Sequence, residues 1–317
     1  MTAINATAAS ALSLLTGSNR ALENTTTRVA SGREVNKAAD NAAYWSIATT
    51  MNSSNLQLST AEDASGLAAA ITDTAALGME KATAIVSDIQ SKLIMARSPG
   101  VDRRAVNEEI TQLKQQLTTV IDSSSFNGQN WLKAEAGQTP KVESMVAGVT
   151  SDGQGSIEIN VIDFDTAKST LASGENAEDG ILTRSNAGMT RSGSAYDYYL
   201  LDANSSVPVN PGSRPIEISE TTTTDEIDGM ISALNSVMVD MIDAGADLGS
   251  TRNRISDNQS FLQDLQDTTT IGIGRLVDAN MQEEAVKKAA QTVQQQLQTI
   301  GLNIANGTMG QSLALFR

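Results

Sequence analysis

Small and apolar residues recur at alternating steps of three and four along five stretches of this chain, the spacing of a helix that packs lengthwise on other helices. The first stretch runs through Ile4, Ala8, Ala11, Leu15, Ser18, Leu22, Thr25 and Val29 and stops at Ser31-Gly32, where glycine ends a helix. The second takes Ile71, Ala75, Gly78, Ala82, Ile85 and Ile89 within a helix predicted from Ser54 to Ala96. Ser98-Pro99-Gly100 breaks it, because proline cannot continue a helix. The third, Val106, Ile110, Leu113, Leu117 and Val120, has a more apolar seam and ends before the tight-turn pair Asn127-Gly128. The fourth keeps the rhythm through Ile227, Ile231, Leu234, Met238, Met241, Gly245, Leu248, Arg252, Ile255, Gln259 and Leu262. The fifth is read as one helix over 273–317, with Leu276, Ala279, Glu283, Val286, Ala290, Val293, Leu297, Ile300, Ile304, Gly307 and Gln311 on its seam.

The two outer stretches match in period, in small seam residues and in their lack of negative charge. No acidic residue precedes Glu23 and none follows Glu284. They are predicted to pair antiparallel and close the chain on itself. A seam this rich in alanine and glycine buries little area per residue, so the pair should be marginal alone and should order when copies assemble. The expected contacts between copies are Ile4, Ala8, Ala11, Leu15, Leu22, Val29, Val286, Ala290, Val293, Leu297, Ile300, Ile304, Leu313 and Phe316. Packing among the inner helices is expected at Ile71, Gly78, Ile85, Ile89, Ile110, Leu113, Leu117, Leu234, Met238, Met241, Leu248, Ile255 and Leu262.

Between Trp131 and Asp225 the character changes. Four of the five prolines and three of the four tyrosines fall here, and 14 acidic against 6 basic residues give the span a net charge of −8. Strand-like alternation appears at 156–161, with shorter candidates at 196–201 and 216–219. This reads as a small β-containing, water-facing insertion. The fold expected is therefore mainly α: a long antiparallel helical bundle or coiled-coil rod formed by both chain ends, with an inserted outer domain. Its boundaries are terminal helices at 1–38 and 278–317, rod segments at 39–133 and 224–277, and the insertion at 134–223.

Composition removes most chemistry. The chain has no cysteine and no histidine, which excludes thiol catalysis, disulfides, His-dependent triads and thiolate or imidazole metal sites. Aromatic residues make up 3% of the chain, too few for base-stacking surfaces or rich ligand pockets. A net charge of −15 repels nucleic acid and anionic membranes. No run of eighteen apolar residues exists, and the N-terminus lacks the basic and apolar regions of a cleavable signal. No catalytic, cofactor or metal residue is expected. Arg33, Glu34, Lys37 and Asp40 are charges paired within a hinge rather than an acid–base site.

The nesting of these elements, together with the stretches from Arg28 to Ala43, Phe126-Asn127-Gly128, Leu248 to Ile255 and Gln291 to Arg317, resembles bacterial flagellin. Asp40-Asn41 and Tyr44-Trp45 are similar to flagellins of the alphaproteobacterial kind. The resemblance implies a subunit exported through the flagellum's own secretion channel, with an export chaperone, and assembled at the distal tip beneath a cap. It implies terminal helices that form the inner tube of an extracellular filament, disordered in the free monomer, with the insertion facing outward. Partners implied are other copies of the chain, alone or with sibling flagellins, and the hook–filament junction proteins. Where the family form recognised by the animal innate receptor carries arginine, glutamate and leucine, this chain aligns Gln90, Ser91 and Lys92, which counts against that recognition.

A subunit exposing half a bundle makes head-to-tail contacts that do not close, and such contacts form an open helical filament. Small residues in the inner seams would let neighbouring strands slide, so a bulky residue at Gly78 or Gly245 is expected to lock or straighten the filament. The alternatives are a hook–filament junction protein, with few copies per filament, and a coiled-coil effector of a related secretion system, which would show an apolar hairpin.

Overall fold

The computed structural model describes residues 6–151 and 157–314. Five α-helices are present among them: α1 (Ala6–Ser31), α2 (Ala42–Ala96), α3 (Arg103–Ser123), α4 (Thr224–Val277) and α5 (Met281–Ala314). Between α3 and α4 run strands β1 (Lys133–Ala134), β2 (Val142–Ser151), β3 (Ile157–Asp165), β4 (Ala172–Ser173), β5 (Asn186–Met189), β6 (Ala195–Tyr199) and β7 (Arg214–Pro215).

The helix ends have local causes. Gly32, at φ +70°, takes the left-handed conformation that terminates α1, its N–H donating to the Arg28 carbonyl at 2.8 Å. Asn41 caps α2 by accepting from the Tyr44 N–H at 3.2 Å, so α2 starts at Ala42 rather than at Ser54. Asp102 caps α3, accepting from the N–H groups of Arg104 and Ala105. Thr223 and Glu226 form a reciprocal capping box on α4: the Glu226 N–H donates to the Thr223 hydroxyl at 3.2 Å, and the Thr223 N–H to Glu226 Oε2 at 2.8 Å. The stretch read as one helix over 273–317 is instead two. α4 stops at Val277, and Asn280 opens α5 by accepting from the Glu283 N–H at 3.3 Å. Periodicity alone could not see this break, because Leu276 and Ala279 keep the seam spacing across it.

The chain packs as two compact units, one made of the residues up to Gln57 with those from Leu265 on, the other of Leu58–Asp264. In the second unit, α2 and α4 lie antiparallel in a constant register, seen in the pairs Arg97–Asp228, Gln90–Asn235, Asp73–Arg252 and Glu62–Gln263. α3 folds back on α2 after the Pro99-Gly100 turn, and the Lys92–Glu109 pair marks its alignment. Ile85, Ile89, Ile110, Leu117, Leu234, Met241, Leu248 and Ile255 are buried in one core, with Ile71, Leu113 and Met238 half-buried against it. Leu262 is buried with Leu58 and Ala61 in a neighbouring cluster that Val146 and Val149 of β2 cover.

The insertion has a charged surface but shares the core of the helices. Trp131, Leu132, Met145, Ile162, Phe164, Leu171, Leu182, Tyr198, Leu200, Ile216 and Ile218 belong to the same core as the helices. β2 and β3 pair antiparallel with a bulge between Val146 and Gly148, and this hairpin turns Met145, Ile162 and Phe164 inward. Phe164 stacks on Trp131 with ring centroids 4.7 Å apart. In the three-stranded sheet β5 runs antiparallel and β7 parallel to β6. Its Tyr198 lies over Gly229 of α4, and a Cβ at Gly188 of β5 would sit 2.3 Å from the Gly229 carbonyl. The described acidic residues of the span are exposed or half-buried around that core.

Candidate assembly surface

The first unit is built around a clasp between two connectors. The Glu34 N–H donates to the Val277 carbonyl at 2.7 Å, and the Ala279 N–H to the Gly32 carbonyl at 2.9 Å. Beneath them, Val35, Ala48, Ile273 and Val277 form a small buried cluster with Met51 and Leu276 around it. The connector after α1 is held internally. Asn36 donates through Nδ2 to the Ser31 hydroxyl at 2.9 Å, and Asp40 accepts from the N–H groups of Asn36 and Lys37 at 2.9 and 3.1 Å. Those bonds, the Asn36 N–H first, hold the Asp40 carboxyl below its ordinary range. Asp40 thus shapes the turn through backbone hydrogen bonds rather than through the charge pairs expected there.

From the clasp, α1 and α5 run antiparallel. Arg28 lies opposite Glu284 at 3.8 Å, and farther out Gln295 donates to Asn19 at 2.7 Å. On α1 the side facing α5 carries Ala11, Leu15, Leu22 and Val29, all half-buried, with Ser18 and Thr25 buried between them. On α5 the facing side is polar: Glu284 is 4% exposed, and Lys288, Gln291, Gln295, Gln298 and Leu302 follow it at four/three steps, half-buried.

The aliphatic seam of α5 points the other way. Val286, Val293, Leu297, Ile300 and Ile304 are 70%, 55%, 63%, 55% and 63% exposed, and Ala290 is exposed among them. The two outer seams are therefore not each other's partners. α5 carries two heptad stripes on opposite sides, and spacing identifies a stripe without saying what it faces. The chain turns the glutamine stripe onto α1 and leaves the aliphatic one bare. Ala8 and Leu313 lie within α1 and α5, where the backbone alone is described; Ile4 and Phe316 lie outside the described residues. Apolar periodicity does not reveal the glutamine stripe, although Gln291, Gln295 and Gln298 carry the same four/three spacing.

Two glycines expected to face neighbouring strands face the chain's own interior. A Cβ on Gly78 would meet Ser124 Oγ at 2.1 Å and Leu132 Cδ1 at 2.6 Å, and one on Gly245 would touch Met79 Cγ at 3.7 Å. The sliding-seam idea loses its structural basis at both positions.

Acid sensitivity has two loci. Hydrogen bonds, first from the Ser192 hydroxyl, hold Asp225 below the ordinary carboxylate range, and the Thr223 N–H chiefly does the same for Glu226. Such groups contribute stability that is present above their ordinary pKa and lost as pH falls through the lower folded value. Below about pH 4 the 190–194 turn and the first turn of α4 are expected to loosen. The near-UV signal of Tyr196 and Tyr198 should then fade before the far-UV helix signal; coincident loss would argue against it. Asp40 and Glu283, the latter held down chiefly by its hydrogen bond from Lys287, place a second acid-sensitive point in the terminal unit, so the sensitivity is not confined to the insertion.

Among the described residues there is no cluster of metal-ligating side chains, and no helix is long and apolar enough to cross a membrane. The bacterial flagellin N-terminal helical region matches residues 3–136, and the bacterial flagellin C-terminal helical region matches residues 231–316. Flagellin C of Rhizobium meliloti (strain 1021) is 41% identical over 317 residues, spanning 99% of this chain and 98% of its own. Flagellin A of Rhizobium meliloti is 35% identical, with the same two shares of 99% and 98%. A flagellin of Brucella melitensis biotype 1 is 30% identical, again over 99% of this chain and 98% of its own.

Proposed function

We propose, for a chain that belongs to the bacterial flagellin family and is a structural subunit of the helical flagellar filament, that its α1–α5 pair forms the inner wall of that filament. The observation that carries this reading is the bare aliphatic stripe of α5. Five branched aliphatics more than half exposed on one side of one helix form a patch that a self-contained fold would cover. Another copy of the same pair supplies the cover, and a stripe covered by a different surface of the next copy propagates head to tail instead of closing. Ala11, Leu15, Leu22 and Val29 serve the pair, whereas Val286, Ala290, Val293, Leu297, Ile300 and Ile304 serve the lattice. Ile4 and Ala8 extend the α1 set by their place in the repeat, whereas Leu313 and Phe316 do not share the spacing of the aliphatic stripe.

The segments 1–38 and 278–317 are then the inner tube, 39–133 and 224–277 the surrounding helical layer, and 134–223 the outward face. The chain acts mechanically and not as a catalyst. It leaves the cell by the flagellar export route with its chaperone, and it meets the cap and the junction proteins at the filament's ends. The segment where the innate receptor would bind carries Gln90, Ser91 and Lys92 in place of arginine, glutamate and leucine, with Gln90 bonded to Asn235 and Lys92 paired with Glu109. The relatives matched end to end are flagellins, which disfavours the junction-protein alternative.

Seeding purified chain with filament fragments and following growth by electron microscopy tests the reading. Full-length chain is expected to extend seeds, and chain cut after Lys287 is expected to keep its α2–α4 bundle folded yet add nothing. Normal filaments from the shortened chain would overturn the inner-wall assignment.

A further inference from the structure

The polar seam between α1 and α5 repeats itself. On α1 Leu15 and Ser18 are followed one heptad later by Leu22 and Thr25, and on α5 Gln291 is followed one heptad later by Gln298. Ser18 Oγ, Gln291 Oε1 and Gln298 Oε1 are buried acceptors without a hydrogen-bond partner, so none of them prefers one alignment over another. A slip of one heptad, about 10 Å along the axis, would set leucine where leucine was and glutamine where glutamine was. Two contacts break the repeat, the exposed bond from Gln295 to Asn19 at 2.7 Å and the buried charge of Glu284. Glu284 is buried at 4% exposure, receives Lys287 at 3.0 Å through Oε1 and lies 3.8 Å from Arg28 through the same oxygen, while its Oε2 has no hydrogen-bond partner. Seven residues before Arg28 stands Ala21, which offers a buried carboxylate nothing. The clasp tethers the connectors but holds residues outside both helices, and Glu284 is the first α5 seam residue beyond it.

We propose that Glu284, matched to Arg28, is the positioning residue that sets the register of the terminal helix pair, and with it the height at which the aliphatic stripe is offered to the next copy. A single buried charge is costly when mispaired, which is how such a residue excludes wrong alignments while adding little net stability. The consequence for the filament rests on the inner-wall reading; the register itself does not.

The chain has no cysteine, so R20C and Q294C place two unique spin labels at exposed positions on the paired helices. Label-to-label distances are measured in the free chain and in seeded filaments diluted with unlabelled protein. The parent is expected to give one narrow distance. E284K and R28E should each broaden it or add a population displaced by about 10 Å, and each should raise the concentration needed for seeded growth about tenfold. The R28E/E284K swap should restore both readouts, a rescue that mere loss of helix would not show. E284Q, which keeps the shape and removes the charge, should broaden the distance with the fold intact. An unchanged distance in E284K, a swap as broad as the single variants, or a broad parent in both states overturns the proposal. Distances that respond as expected in a chain that never extends seeds support the register and count against the inner-wall reading.

Discussion

A chain carrying L297Q and I300Q is expected to keep its helices and to lose the ability to extend filament seeds. Both side chains are more than half exposed and face away from α1, so their removal takes nothing from the packing within the chain. Glutamine suits a helix about as well as leucine or isoleucine, so α5 should not melt for want of propensity. What disappears is the gain from covering them in the lattice. The exposed part of each is worth about 1.5 kcal/mol on burial. About 3 kcal/mol per subunit raises the concentration required for growth by roughly a hundredfold. Q294A, at an exposed α5 position off the stripe, should leave growth unchanged. Seeded elongation followed by light scattering, with circular dichroism on the same samples, separates assembly from folding. Growth of the double variant at the parent's concentration would mean that the stripe is covered by something other than a second copy.

The same stripe marks how far the sequence could be read. Period three/four located α1, α3 and the greater part of α2 and α4, since a helix buried on one side must place its apolar residues at that spacing. It failed at Asp278–Asn280, where the helix breaks without a change of period and the signal is a capping asparagine. It also failed at the start of α2, because Tyr44, Trp45 and Ile47 are exposed and follow no buried stripe. The β-containing character and surface charge of the insertion are visible in the sequence, whereas the core beneath is assembled from scattered residues such as Trp131, Phe164, Tyr198 and Ile216 on short strands and turns. For the assembly surface, the aliphatic positions of α5 were legible one by one, but their direction was not. Facing is decided by what else shares the helix, and the competing stripe of Glu284, Gln291, Gln295 and Gln298 is polar. An amphipathic helix is normally oriented by its apolar side. Where a second copy covers the stripe, as proposed, that rule holds for the assembly and inverts for the subunit.

Glycine substitutions in the inner helices are expected to split by position, with G78A destabilising and G245A neutral or stabilising. Both residues sit on helix seams where a small side chain could equally serve sliding between subunits or packing within one. At Gly78 the added Cβ would stand 2.1 Å from Ser124 Oγ and 2.7 Å from Ser124 Cβ. Ser124 cannot retreat easily, because it closes α3 and its hydroxyl donates to the Val120 carbonyl at 2.6 Å. Leu132, on the other flank, is wholly buried. Overpacking of this kind costs about 1–3 kcal/mol for a methyl group and more for G78V, outweighing the roughly 1 kcal/mol that alanine gains over glycine inside a helix. At Gly245 the nearest atom is Met79 Cγ at 3.7 Å, an ordinary contact, so that helical gain is the larger effect. Urea unfolding should therefore move the midpoint down for G78A and level or up for G245A, with G78V below both. Defective filaments from G78A would then reflect a subunit whose bundle no longer closes rather than strands that can no longer slide. Equal midpoints for the two alanine variants would return both glycines to the subunit interfaces.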